Sequence, residues 1–188
     1  MSVDIEKGEG TVERGTVVRT GRVVAVCYSP ELINGVGKRA HEAARITKWG
    51  IPGDRHYGET RMSHSRKERV PNDRPITVAG VEAVRDVCEL LRIPEIPAGG
   101  LGENLLVEGL GDLSDLEPGD QLHITGTHGG PEVILLVRKQ NEPCANLQIY
   151  HRLMVREMYG KRGVVCTVLK EGEVQVGDTV TLVRGERA

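Results

Sequence analysis

Short apolar runs separated by glycine and proline turns constrain this chain more than any other feature of its sequence. The clearest run, residues 22–28, is rich in valine and is closed by Ser29-Pro30, which is typical of a buried strand. Similar runs occur at residues 16–18, 43–47, 76–78, 105–107, 133–138 and 164–169. The chain also contains 24 glycines, enough to supply turns between many short strands.

Helical periodicity interrupts this β pattern twice. The first helix is predicted from apolar residues at steps of three and four, and it ends before Pro94. Its apolar face comprises Val81, Val84, Val87, Cys88 and Leu91. A second helix, ending at Gly160, is predicted from Leu147, Tyr150, Met154 and Met158. About eight strands and two helices predict a mainly β fold, a closed or nearly closed β-barrel with attached helices.

The length of 188 residues is compatible with one domain. We expect residues 1–15 to form a polar N-terminal leader and residues 16–188 to form a single β-barrel domain. Within it, Gly119-Asp120 and Gly177-Asp178 each precede a strand of alternating apolar and polar residues. We interpret these two segments as similar corners of the barrel and not as a duplicated active site.

Charge and hydropathy exclude several classes of partner. The formal net charge of −2 gives no general attraction to nucleic acid or to an anionic membrane. No apolar stretch approaches the roughly 20 residues that a membrane-spanning helix needs. The polar, acidic start does not resemble a signal peptide, so we expect a cytoplasmic protein without nucleic-acid or membrane partners.

The four cysteines are far apart, since even the nearest two, Cys144 and Cys166, are separated by 22 positions. Zinc sites usually contain close pairs of ligands, so we expect no zinc. Cys27, Cys88 and Cys166 lie among apolar residues, where cysteine behaves as a small hydrophobic side chain. We assign these three to the core.

Cys144 has a different context, with Pro143 before it and a predicted helix after it. The unpaired amides at a helix N-terminus carry partial positive charge, which favours a thiolate at that position. The alternative is a small residue packed in a loop. We favour the functional interpretation and predict that Cys144 is accessible to solvent while the other three cysteines are buried.

Two short polar segments and one basic segment are further candidates. Gly53-Asp54-Arg55-His56 combines a carboxylate, a permanent cation and an imidazole, although Asp54 could equally cap a turn. Gly102-Glu103-Asn104 is open to the same two interpretations. Residues 61–74 form a predicted polar loop with five basic residues, suited to a phosphate or sulfate group or simply solvated.

Together these motifs resemble a MOSC domain, the domain at the C-terminus of molybdenum-cofactor sulfurases. The resemblance extends from about residue 21 to residue 183. It is carried by the order and spacing of Gly53-Asp54-Arg55-His56, Gly102-Glu103-Asn104-Leu105, Gly119-Asp120-Gln121-Leu122, Pro143-Cys144 with Leu147, Gly163 and Gly177-Asp178. It implies a β-barrel, an association with molybdenum cofactor and a functional cysteine at Cys144.

The chain is most similar to stand-alone prokaryotic MOSC proteins. It is too short for a pyridoxal-phosphate desulfurase domain, so we expect pyridoxal phosphate only on a separate partner desulfurase. In the first hypothesis the Cys144 thiolate ligates molybdenum, and a redox partner supports oxygen-atom removal from N-hydroxylated small molecules. The candidate catalytic residues are Cys144, His56 and Asp54. The candidate cofactor-binding residues are Arg55, Arg74, Glu103, Asn104 and Arg138, together with Cys144.

In the second hypothesis Cys144 accepts a persulfide sulfur and delivers it to a metal-sulfur centre or a small acceptor. His56 or Arg138 would then stabilise the thiolate. In the third hypothesis the barrel is a non-catalytic binding module. We favour an enzyme, either an oxidoreductase or a sulfurtransferase. In both cases we expect Asp54, Arg55, His56 and Asn104 to converge with Cys144 on one pocket.

Overall fold

The computed structural model describes residues 2–6, 12–63, 67–127 and 132–184, and side chains from residue 15 onward within those ranges. The described residues form thirteen strands, two α-helices and one 3₁₀ helix. The strands are β1 (Ser2–Glu6), β2 (Val12–Cys27), β3 (Ala40–His41), β4 (Ala43–Ile46), β5 (Thr60–Ser63), β6 (Glu68–Pro71), β7 (Ile76–Gly80), β8 (Leu105–Glu108), β9 (Gln121–Thr125), β10 (Val133–Gln140), β11 (Val164–Lys170), β12 (Gly172–Gln175) and β13 (Thr179–Arg184). The helices are α1 (Val81–Leu91), the 3₁₀ helix (Ala145–Ile149) and α2 (Met154–Glu157).

Within the described residues, seven strands close into a barrel in the order β2-β13-β9-β10-β11-β7-β8 and back to β2. Closure depends on the length of β2. Its residues 16–22 pair with β13 and its residues 22–26 pair with β8, so one strand joins both edges of the sheet. The predicted mainly β barrel with attached helices is therefore confirmed.

Helix α1 connects the one parallel pair of the barrel, β7 and β8, because parallel neighbours need a crossover connection. It spans the residues that the periodicity predicts. Its apolar face packs in a cluster outside the main core, together with Leu147, Met154 and Met158. The main core is formed by the inward side chains of the strands, for example Val107, Leu122 and Leu135, all fully buried.

The predicted second helix is wrong as a continuous element, because the segment forms the 3₁₀ helix and, after a turn, α2. The turn contains a side-chain hydrogen bond, in which the Leu153 amide donates to His151 Nδ1 at 3.2 Å. A bond of this kind competes with the backbone ladder of a helix. The predicted apolar face nonetheless packs inward, with Leu147, Met154 and Met158 fully buried.

Two other segments are more regular than the sequence predicts. The basic segment 61–74 contains a hairpin, in which β5 pairs with β6, while Arg66 lies outside the described residues. At the N-terminal end, β1 pairs with the first five residues of β2 and extends the sheet.

The two Gly-Asp segments form matching turns, as the sequence predicts. Asp120 Oδ2 accepts a hydrogen bond from the Glu117 amide at 2.9 Å, and Asp178 Oδ2 accepts one from the Gln175 amide at the same distance. Each turn leads into a barrel strand, β9 or β13. The interpretation of these segments as similar barrel corners is confirmed.

Candidate functional site

The four cysteines all lie within the described residues, and Cys144 alone is exposed. Burial raises the pKa of Cys27 to about 12, with a further contribution from the nearby Glu103 carboxyl. Burial also raises the pKa of Cys166. Both therefore stay protonated, and hence poorly nucleophilic, at neutral pH. The predicted contrast in accessibility between Cys144 and the other cysteines is confirmed.

The Cys144 segment follows β10 and is fixed by contacts to distant parts of the chain. The Asn141 amide donates to the Gly163 carbonyl oxygen at 2.8 Å. Arg162 donates from Nη1 to the Glu142 carbonyl and from Nη2 to the Leu101 carbonyl, both at 2.7 Å. The Arg162 guanidinium thus ties the Cys144 segment to the turn at residues 99–102.

A pocket of about 320 Å³ opens between this segment, the turn at residues 99–102 and strand β7. Four residues predicted from the sequence line it: Cys144, His56, Arg74 and Asn104. Lys139 and Arg162 complete its charged wall. The structure thus brings most of the predicted pocket together from four separate parts of the chain.

The pocket is strongly cationic. Arg74, Lys139 and Arg162 line it, while Glu142 is the one carboxylate among the residues that form its wall within the described chain. The Nε atom of Arg162 is buried without a hydrogen-bond partner among the described residues, whereas the Nε atom of Arg74 lies 3.6 Å from Asp73 Oδ1 in an ion pair. Three cationic side chains against one carboxylate in the pocket wall fit an anionic ligand.

Behind the pocket wall lies a buried ion pair, Lys38 with Asp54. Lys38 Nζ lies 3.1 Å from Asp54 Oδ1 and 3.0 Å from Oδ2, and both side chains are at most 2% exposed. Burial alone would raise the pKa of Asp54, but hydrogen bonds from His56 and the Lys38 charge outweigh it and lower that pKa to about 2. Asp54 is therefore ionised at neutral pH.

His56 and Asn104 both contact the ionised Asp54. The His56 amide donates to Asp54 Oδ1 at 2.9 Å, and His56 Nδ1 lies 3.4 Å from the same oxygen. Asn104 Nδ2 donates to Asp54 Oδ2 at 3.3 Å, while Asn104 Oδ1 accepts the amide and hydroxyl of Thr77, each at 3.1 Å. Contacts with Asp54, which lies behind the pocket wall, thus fix the positions of His56 and Asn104.

Four of the predicted residues do not line the pocket: Asp54, which lies behind its wall, and Arg55, Glu103 and Arg138. Arg55 is exposed elsewhere. Glu103 is buried, and its carboxylate accepts the Gly99 amide at 2.5 Å and the Leu101 amide at 3.0 Å, so it fixes the turn instead of facing a ligand. Arg138 is exposed, and its neighbour Lys139 faces the pocket instead, at a shift in the pairing of β10 with β11.

Sequence reasoning missed Lys38, Lys139 and Arg162. Arg162 directly precedes Gly163, one of the residues that carry the family resemblance, so its position was a usable signal. Lys139 could not be separated from Arg138 without the irregular register of β10. Lys38 carries no local motif, because its partner Asp54 is 16 positions away.

The fold and the pocket together define the class of protein. The family model of the MOSC domain matches residues 52–181, and the chain belongs to this family. The match includes Cys144 and every residue that lines the pocket, while Lys38 lies before it. Among the described residues, no helix is long and apolar enough to cross a membrane.

Among named relatives, the chain is similar to YuaD from Bacillus subtilis (strain 168), which carries a provisional name in metal-sulfur cluster biosynthesis. The two are 30% identical over 148 residues, or 70% of this chain and 74% of YuaD. The crystal structure of YuaD superposes on this chain with a TM-score of 0.78 at 24% identity. The match covers 91% of this chain and 100% of the YuaD chain.

YiiM structures show the same fold at lower similarity. YiiM from Geobacillus stearothermophilus has a TM-score of 0.62 at 23% identity, with 87% of this chain and 75% of that chain covered. YiiM from Escherichia coli has a TM-score of 0.58 at 22% identity, with coverages of 89% and 71%. At these identities the structures support the barrel fold of this chain and not a shared activity.

Proposed function

We propose that this protein binds a molybdenum cofactor in the Cys144 pocket, with the Cys144 thiolate as a ligand to molybdenum. The observation that carries the proposal is the juxtaposition of one exposed thiol with Arg74, Lys139 and Arg162 in a single pocket. A thiolate is a soft metal ligand, and arginine presents a fork of donors that matches a phosphate.

The residues present fit this cofactor in two further ways. Among the described residues no group of three or more His, Cys, Asp or Glu side chains comes together as a metal site. A metal held by Cys144 would therefore have to bring other ligands, as a pterin dithiolene does. The cationic side chains of Arg74 and Lys139 in the pocket wall would pair with the negative charge of the cofactor.

The proposed reaction is oxygen-atom removal from an N-hydroxylated small molecule, which takes up two electrons from a redox partner and two protons and releases the amine and water. The bound molybdenum centre would supply the two-electron chemistry. His56, half exposed at the pocket and adjacent to Asp54, would deliver a proton to the departing oxygen.

Substitution C144S tests this function directly. Serine differs from cysteine by one atom, so at an exposed position we expect a stability change within about 0.5 kcal/mol. A hydroxyl is a poor ligand for a soft metal, so the variant should lose activity and most of its tightly held molybdenum. The measurement is elemental analysis after purification from a host that makes molybdenum cofactor.

Variant C88A is the matched control, because Cys88 is buried on α1 and does not line the pocket. It should keep the molybdenum content and the activity of the wild type. A folded C144S protein with wild-type molybdenum content would contradict cofactor ligation by this thiol. If it also keeps full activity, the thiol is incidental and a binding module is the better description.

The name of the relative YuaD favours a second candidate, a sulfur carrier for metal-sulfur centres. A cysteine desulfurase would load a persulfide on Cys144, which would then pass the terminal sulfur to an acceptor. Cyanolysis of protein incubated with such an enzyme measures this sulfur. Under this candidate, C144S loses the cyanolysable sulfur but leaves any bound molybdenum unchanged, which separates the two functions.

A further inference from the structure

The Lys38–Asp54 ion pair makes further hydrogen bonds to two other residues. Both oxygens of Asp54 accept Lys38, and each also contacts a residue of the pocket wall: Oδ1 contacts His56 and Oδ2 contacts Asn104. Lys38 is 3% exposed and does not line the pocket. It is thus linked to the pocket through Asp54.

Stability alone does not account for this pair. A buried ion pair carries a large desolvation cost, and replacing it by apolar residues is often neutral or stabilising. An apolar pair, however, could not accept hydrogen bonds from His56 and Asn104. What distinguishes the charged pair is the geometry that it imposes on these two side chains.

Lys38 is itself fixed by its surroundings. Its amide donates to the Gly99 carbonyl at 2.9 Å, in the turn that the Glu103 carboxylate holds by two amide hydrogen bonds. The Glu103 carboxyl also acts electrostatically on its ammonium group and favours the charged form, although burial lowers the pKa of Lys38. Lys38 therefore connects two buried carboxyl groups, one holding His56 and Asn104, the other holding the turn that includes Gly102.

From these contacts we infer that Lys38 is a positioning residue, which fixes the orientation of His56 and Asn104 in the pocket by holding Asp54. The role of this arrangement in catalysis rests on the proposed function, whereas the positioning itself does not. Asn104 in turn holds Thr77, another residue of the pocket wall, so one ammonium group organises three pocket residues.

The test compares K38M, which removes the charge at similar volume, with K38R, which keeps it. In K38M, hydrogen exchange of the His56 amide and of the Asn104 side-chain amide should accelerate on the order of tenfold, the factor expected for one lost charge-assisted hydrogen bond. NMR titration of the Asp54 carboxyl carbon should move from a midpoint near 2 to higher pH in K38M but not in K38R.

Unchanged exchange of both amides in folded K38M would overturn the inference, as would K38R behaving like K38M. If K38M does not fold, the double variant K38M/D54N decides, because it leaves no buried charge unpaired. In K38M/D54N, the side-chain oxygen at position 54 can still accept the hydrogen bond from the His56 amide. The new NH₂ group, however, then lies opposite the NH₂ group of Asn104, and two donors cannot form a hydrogen bond. The Asn104 side-chain amide should then exchange faster than in the wild type, and unchanged exchange would contradict the inference.

Molybdenum content separates this inference from the proposed function. If wild-type protein holds no molybdenum but the two amides respond as expected, the positioning stands and the proposed cofactor fails. If wild-type protein holds molybdenum and the amides do not respond, the cofactor stands and the positioning role of Lys38 fails.

Discussion

The same dipeptide, Gly-Asp, serves two different purposes in this molecule. Gly53 and Gly177 both have positive φ, +88° and +92°, and the aspartates that follow are 7% and 1% exposed. At the barrel corner, Asp178 accepts the amide of a residue three positions earlier. At the pocket, Asp54 contacts Lys38 and Asn104, which are 16 and 50 positions away.

This difference shows what distinguishes a structural turn from part of a site. The corner aspartate satisfies a backbone group of its own turn, so its contribution is local. The pocket aspartate also accepts the His56 amide of its own turn, but in addition it pairs with Lys38 and contacts Asn104, which lie in two distant segments. The dipeptide predicts the turn in both places, but the origin of the aspartate's partners decides its role.

The largest expected effect comes from replacing each aspartate by asparagine. D54N leaves the Lys38 ammonium buried without a counter-charge, which should lower the free energy of unfolding by about 3–5 kcal/mol. D178N keeps a carbonyl oxygen that can accept the Gln175 amide, so it should cost less than about 1 kcal/mol. Urea unfolding at neutral pH measures both values.

Equal losses in the two variants would remove the distinction between corner and pocket. An equivalent substitution at the other corner, D120N, extends the control, since Asp120 makes the same turn contact to Glu117. Its loss in free energy of unfolding should be close to that of D178N and much smaller than that of D54N.

Acid should act on the pocket aspartate through its lowered pKa. Because the folded-state pKa of Asp54 is about 2, below the ordinary value of 3.8, its contribution is present above about pH 4 and is lost as the pH falls toward 2. The size of this loss is about 2 kcal/mol. Wild-type protein should therefore lose stability more steeply than D54N between pH 4 and pH 2.

Glu103 acts in the opposite sense, because burial raises its pKa, so that folding favours its protonated form as the pH falls. The stabilisation from protonated Glu103 is fully present once the pH has fallen to the ordinary pKa of glutamate. It is the same in the wild type and in D54N, so it does not affect their comparison. Urea unfolding of the two proteins at intervals of half a pH unit measures the difference. Parallel profiles below pH 4 would show that Lys38 and His56 do not hold Asp54 ionised.

The smallest expected difference between the two turns concerns their glycines. A Cβ at Gly177 would meet no atom within 4 Å, and one at Gly53 would meet only the Tyr28 ring, at 3.8 Å. G53A and G177A should therefore each cost only the backbone penalty of a left-handed conformation, about 1–2 kcal/mol. Thermal unfolding measures both. A much larger cost at Gly53 would mean that the glycines, and not only the aspartates, differ between the two turns.

Local patterns were sufficient for most of the fold. The valine-rich run that forms the second half of β2 and the periodic face of α1 both predict their elements, because burial of one face dictates the spacing of apolar residues. Local sequence also predicts that Cys27, among apolar residues, is buried and that Cys144, in a polar loop, is exposed. Where a side-chain contact replaces a backbone bond, as at His151, periodicity predicted one continuous helix that the chain does not form.

The pocket depends on information that local patterns do not contain. Whether Arg138 or Lys139 faces the ligand is decided by a register shift with β11, a strand more than twenty positions away. The Gly102-Glu103-Asn104 segment makes Glu103 a candidate cofactor-binding residue, yet each oxygen of its carboxyl group accepts a backbone amide. In both cases, the role of the side chain depends on contacts that form only in the folded structure.

The two pairings of β2 also bear on how this barrel folds. Residues 16–22 of β2 must find β13, about 160 positions later in the chain, before the barrel is closed. Contacts so distant in sequence carry a large loop-closure entropy and slow the rate-limiting step of folding. Until β13 has been synthesised and added, β2 and β9 keep unpaired edges, which favour aggregation. We therefore expect closure to be the late event in folding, and chaperones to act before it.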